Sequence, residues 1–167
     1  MSRLPLLLGE APSERGDRYH AFPLSGAPAE FICKLMEWET EGPAYWTLIE
    51  HFETLNAIER YRDAYPWSKP RAQERWTRWL LTRPEEEQRL PLIVVCLGQR
   101  AAGAVGLRDD KPYGEWLEAG LLQAVCVPHP SGRNRFWNTS GARESMRSWL
   151  EEAIARAEAA RWKGTVA

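Results

Sequence analysis

The sequence predicts an α/β fold, a three-layer αβα sandwich around a short, mainly parallel four-stranded sheet. Three observations carry that prediction. Short unbroken apolar runs, each ended by Gly or a polar loop, recur along the chain, as strands buried on both faces do. Stretches with apolar residues at helical spacing lie between them, so strands and helices alternate. The chain has 167 residues, 44% hydrophobic and 27% charged, which is enough for one core. No repeat, low-complexity linker or shift in composition divides it, so residues 1–167 are expected to form a single domain.

Residues 4–8 read as the first strand, continuous, apolar and closed by Gly9. A long polar loop follows over 10–27, holding Gly16, Pro23 and Gly26. Pro28 suits a first helical turn. Phe31, Leu35 and Trp38 then recur at helical spacing, with Ile32 and Met36 widening the stripe, until Gly42-Pro43 ends the helix. Residues 52–55 read as a short second strand that leaves at Asn56. Ser68 and Pro70 open a helix with Trp76, Trp79 and Leu80 on one face. Thr82 and Glu85 have capping-box spacing around Pro84, so a short helix restarts there. Residues 92–97 form the clearest strand, β-branched and closed by Gly98. A short helix over 99–105 and a fourth strand over 122–127 come next. The last helix spans 140–162, with Met146, Trp149, Leu150, Ala153, Ile154 and Ala157 facing the core.

Composition narrows the function classes. A formal net charge of −1 argues against tight, non-specific nucleic-acid binding by a basic surface. A local basic patch of Arg133, Arg135, Arg143 and Arg147 is present; a solvated helix face is the plainer reading of it. Cys33, Cys96 and Cys126 are far apart in apolar stretches, with no CxxC pair. That is the pattern of reduced, buried thiols in a cytoplasmic protein, not of a disulfide framework or a zinc site, so no metal is expected. The apolar start is too short for a signal segment, and nothing reaches the length of a membrane span. The nine Trp read mainly as packing residues.

No GxxxxGKS, GxGxxG, GxSxG or HExxH motif is present. What remains is a set of polar residues at strand ends: Glu10, Asn56, His129, Ser131 and Arg133. In parallel sheets those ends are where ligands bind. Asn offers a paired donor and acceptor to a nucleobase edge. His can donate to an oxygen that gains charge as a bond breaks. Ser and Arg contact phosphates. Tyr19, Phe22, Phe136 and Trp137 flank these loops and could stack on bases. Each has a plain structural alternative: a turn cap for Glu10, a strand-end turn for Asn56, a surface loop for His129 and core packing for Trp137.

Two loops together resemble the uracil-DNA glycosylase superfamily. Gly9-Glu10-Ala11-Pro12 is similar to the first motif of its iron–sulphur class. Phe22-Pro23-Leu24-Ser25-Gly26 is similar to the Pro-Phe-Val-Gly segment of that class, without matching its register. His129-Pro130-Ser131-Gly132-Arg133-Asn134 resembles the HPSPRN stretch of the single-strand-selective monofunctional class. The third strand, closed by Leu97-Gly98 and followed by Ala101-Ala102, resembles a Leu-Gly-x-x-Ala segment.

The resemblance implies a hydrolase that flips a base out of DNA and cleaves its N-glycosidic bond, as in base excision repair. By it, Phe22 or Tyr19 would stack on the base and Asn56 would read its edge. His129 would stabilise the departing base anion. The amides of Glu10 and Ala11 would form the pocket floor. Ser13 and Ser131 would hold phosphates. Arg133, Asn134, Arg135 and Trp137 would fill the gap in the duplex. Two departures stand out. Ala11 occupies a place where many members carry Asp or Asn, which leaves Glu10 as the nearby polar group. Three scattered cysteines cannot supply the four-cysteine cluster of the iron–sulphur class, so no cofactor is expected. The expectation is a monomeric, cytoplasmic, monofunctional DNA glycosylase acting on uracil or another deaminated or modified base. Its rivals are an inactive glycosylase-fold module that binds DNA or a modified base, and a hydrolase of free nucleosides or nucleotides.

Overall fold

The computed structural model describes residues 4–11, 23–24, 26–59, 63–64, 66–107, 112–130 and 134–165, with backbone only over 161–165. In chain order the elements are β1 (Leu6–Gly9), α1 (Ala27–Leu35), α2 (Ala44–His51), β2 (Glu53–Asn56), α3 (Lys69–Thr82) and α4 (Glu85–Gln88). Then come β3 (Leu92–Leu97), α5 (Gln99–Ala104), β4 (Trp116–Ala119), β5 (Leu122–Val127), a 3-10 turn (Arg135–Asn138) and α6 (Ala142–Thr165).

The apolar runs are continuous because the sheet is covered on both faces. Leu6, Leu7 and Leu8 of β1 are all fully buried. Leu6 and Leu8 point to one layer with Val94, Cys96, Ala124 and Cys126, where Ala72 and Trp76 of α3 and Ala101 and Ala102 of α5 cover them. Leu7 points to the other with Ile93, Val95, Val125 and Val127, under Ile32 of α1, Leu48 of α2 and Met146 and Leu150 of α6. The alternation follows from the two-residue period of a strand. The three-layer αβα expectation therefore holds.

The sheet has five strands in the order β2-β1-β3-β5-β4, one more than predicted. The first four in that order run parallel, and β4 pairs antiparallel with β5 through the two-residue connection Gly120-Leu121. A half-exposed edge strand of four residues carries no unbroken apolar run, so the feature that reveals the buried strands is missing from it.

Three helical details differ from expectation. α1 stops at Leu35, well before Gly42-Pro43. Glu37 takes a left-handed φ of 57°, and Trp38 N donates to Cys33 O at 3.0 Å. This is a Schellman stop with Glu where Gly is usual, so the sequence cue is absent. Trp38 instead stacks on His51, ring centroids 3.9 Å apart. α2 is an added helix whose one buried residue, Leu48, gives no stripe to read. Ser68 caps α3 as expected, its Oγ accepting from Arg71 N at 3.4 Å. Thr82 does not cap α4; its hydroxyl donates back to Trp79 O at 2.8 Å, and Pro84 takes the cap position.

Among the described residues no helix is long and apolar enough to cross a membrane. Packing beside β5 is tight at Gly114, which has φ 82° and donates its N–H to Cys126 O at 2.9 Å. A Cβ there would overlap the Trp149 ring. Gly114→Ala should therefore lower stability by roughly 1–3 kcal/mol, combining overpacking with a left-handed φ. Urea unfolding at neutral pH checks this.

Candidate active site

The order in which strands are added reverses at β1. The chain first moves from β1 outward to β2, then crosses back to β3 on the other side. Such a switch point opens a crevice beyond the carboxyl ends of the two central strands. Asn56 ends β2, Glu10 follows β1, Gly98 and Arg100 follow β3, and His129 follows β5. A cavity of about 270 Å³ lies at the opposite, amino end of the sheet, lined by Leu80, Leu81, Leu92 and Leu121 among others. It is apart from these residues.

Gly9 and Asn56 are partners in the β1–β2 register. The ladder continues past the strands, Ala57 N donating to Gly9 O at 2.8 Å and Ile58 N to Glu10 O at 2.9 Å. A Cβ on Gly9 would stand 2.8 Å from Asn56 Oδ1 and overlap the Leu24 side chain, so glycine is required by close approach. Asn56 is only 4% exposed. Its Oδ1 is buried and accepts no hydrogen bond among the described residues. A buried, unpaired acceptor of this kind costs about 1–3 kcal/mol, which a donor from a ligand would relieve. The Asn56 backbone is fixed from behind: Arg75 Nε on α3 donates to Asn56 O at 2.9 Å. Gln73, also on α3, donates to Gly103 O at 3.2 Å, so one helix braces both β2 and α5.

On the other side of β1, Glu10 Oε1 lies 2.6 Å from Arg100 Nη1. The Arg100 guanidinium sits 5.7 Å from the centre of the Trp67 ring. His129 is half-buried between the buried Pro128 and Pro130. Gly98, at φ 93°, backs onto it: a Cβ there would stand 3.3 Å from His129 Cβ. His129 O accepts from the Trp137 indole N–H at 3.1 Å. Burial lowers the imidazole pKa from its ordinary value, while the Glu10 carboxylate pulls the other way. Burial prevails, so the ring is neutral at pH 7 and has one N–H to donate.

Glu10, Asn56 and His129 thus meet at one end of the sheet, with Ala11 half-buried against the α3–α5 layer. Asn134 serves structure: its Oδ1 accepts from Phe136 N at 3.0 Å and caps the 3-10 turn. Arg135 is exposed on that turn. Trp137 packs on Phe31 of α1, centroids 4.7 Å apart, and braces the His129 loop. Arg147 of the basic patch is paired with Glu37 and Glu151, each at 2.9 Å. Ser13, Tyr19, Phe22, Ser131 and Arg133 lie outside the described residues. Sequence reasoning missed Arg100 and Arg75.

The cysteines do not fit an iron–sulphur cluster. Cys96 and Cys126 are register partners in one layer, and Cys33 lies in the other, across the sheet. Among the described residues no three His, Cys, Asp or Glu side chains come together as metal ligands.

Two expectations follow. Because the folded pKa of His129 is lowered, the unfolded chain takes the proton first as pH falls below its ordinary value of 6.5. Stability contributed above that pH is lost as pH falls through the folded value. Unfolding free energies measured from pH 7 down to about 5 should decline less steeply in His129→Phe than in the parent chain. Trp137→Phe keeps the ring against Phe31 but removes the donor to His129 O, and should cost about 1 kcal/mol in the same assay.

Residues 5–157 match a family model described as the uracil DNA glycosylase superfamily. A search of curated proteins found no match.

Proposed function

The chain belongs to the uracil-DNA glycosylase superfamily, with its matched region covering most of the sequence, and on that premise we propose a monofunctional DNA glycosylase acting on a flipped uracil or related deaminated or modified base. Family membership makes its function glycosylase-like and its partner DNA. The observation that carries the finer reading is Asn56 Oδ1, buried over Gly9 at the switch point and accepting no hydrogen bond among the described residues.

An imide N–H of the base donates to that oxygen, and the Asn56 amide N–H₂ donates to a neighbouring base carbonyl. Neutral His129 donates its N–H to a base oxygen. As the bond between the sugar C1′ and the base nitrogen breaks, its electron pair leaves with the base, and the growing charge on that oxygen is met by the imidazole. The sugar becomes oxocarbenium-like. The Glu10 carboxylate stabilises that cation and accepts the proton of the water whose oxygen bonds to C1′. The backbone amides of Glu10 and Ala11 line the floor. Tyr19 or Phe22 stacks on the base. Ser13, Ser131 and Arg133 contact phosphates, and exposed Arg135 faces the vacated side of the duplex on a turn held by Asn134 and Trp137. We take the protein to act as a single-domain monomer, and its free, buried thiols suit a reducing compartment such as the cytoplasm.

A second reading is a module that recognises a base without cleaving it. Ala11 favours it, since a methyl group packed on the apolar layer cannot position water.

The test uses single- and double-stranded oligonucleotides carrying uracil, hypoxanthine, xanthine or hydroxymethyluracil, followed by cleavage at abasic sites. Strand breaks at one or more of these bases, reduced roughly 10²–10³-fold by His129→Ala, are the expected result. Binding without breaks establishes the module instead. Turnover of free nucleosides alone overturns both.

A further inference from the structure

We propose that Arg100 is a positioning residue, which holds the Glu10 carboxylate at the mouth of the site, beyond the strand end that carries His129. The inference rests on the glycosylase reading and adds to it a residue from β3's exit.

Arg100 stands on a fixed base. Ala101 and Ala102 beside it are buried, Ala102 N donates to Gly98 O at 3.1 Å, and Gln73 ties the end of α5 to α3. Trp67 lies against its guanidinium. Glu10, by contrast, sits where the chain leaves the sheet, its backbone held through Ile58 N and its side chain 21% exposed. The 2.6 Å pair therefore ties the strand-end carboxylate to the braced helix. It also sets charge. Among the described residues, the charged groups on the elements around His129 include Glu10 after β1, Arg100 on α5 and Arg135, exposed on the 3-10 turn. Without the Arg100 cation, the pull of the Glu10 carboxylate on the imidazole would weigh more heavily against the burial that keeps the ring neutral. With Arg100 on Glu10, that pull is offset.

A phosphate contact is the competing role for a half-exposed arginine at a DNA site, and kinetics separate the two. Arg100→Met should lower kcat roughly 10–100-fold with KM changed by less than about twofold. Arg100→Lys, which keeps the charge, should recover most of it. The second readout needs no substrate: the titration of the His129 imidazole followed by NMR in the folded protein. Arg100→Met should move its midpoint upward and Glu10→Gln downward. In a Glu10→Gln background, Arg100→Met should add no further upward shift.

An unchanged His129 titration in Arg100→Met would overturn the proposal. So would an upward shift that persists in full without Glu10, or a variant that raises KM and weakens salt dependence at unaltered kcat. If no oligonucleotide is cleaved, the glycosylase reading fails by itself, and the titrations still decide whether Arg100 acts on His129 through Glu10.

Discussion

Everything at the active end depends on how β1 is held. It is four residues long, buried on both faces and paired in parallel on both edges. Its register against β2 sets Gly9 beside Asn56, and its register against β3 sets Glu10 near the start of α5. Because side chains alternate, a slip of one residue would exchange the layers that Leu7 and Leu8 fill. The same slip would carry the glycine away from Asn56. Core packing and site geometry are thus enforced by one set of contacts.

The second requirement is rigidity behind the polar groups. Electrostatic stabilisation is useful only where donors and acceptors are already aimed, because reorganising them during the reaction consumes the gain. Here each group has its support. α3 reaches Asn56 through Arg75 and α5 through Gln73. The 3-10 turn reaches His129 through Trp137, which is itself anchored on α1. Both outer layers therefore contribute to a site whose working atoms come from loops.

Much of this was legible in the sequence, for a physical reason. β3 and β5 appear at the expected residues because strands covered on both faces must be apolar throughout. Glu10, Asn56 and His129 stood out because each interrupts such a run at its end. β4 was hidden because an edge strand is not obliged to be apolar, and the stop of α1 was hidden because Glu37 adopts a backbone usually left to glycine. Arg100 and Arg75 were hidden for another reason. An arginine on a helix reads as a solvated residue until the fold shows what stands opposite, here Glu10 for one and the Asn56 carbonyl for the other.

The three thiols give the molecule a property unrelated to catalysis. Cys96 and Cys126 face each other across β3 and β5, and burial pushes the Cys126 thiol up to about 12. At pH 7 that leaves the thiol protonated, and the thiolate is the species that alkylating agents and oxidants attack. Cys33 is equally enclosed in the opposite layer, its thiol donating to Ala44 O. A reagent in solution therefore meets these sulfurs only when a layer lifts from the sheet. Their rates of labelling count those openings one layer at a time, so the protein carries an internal clock for its own breathing.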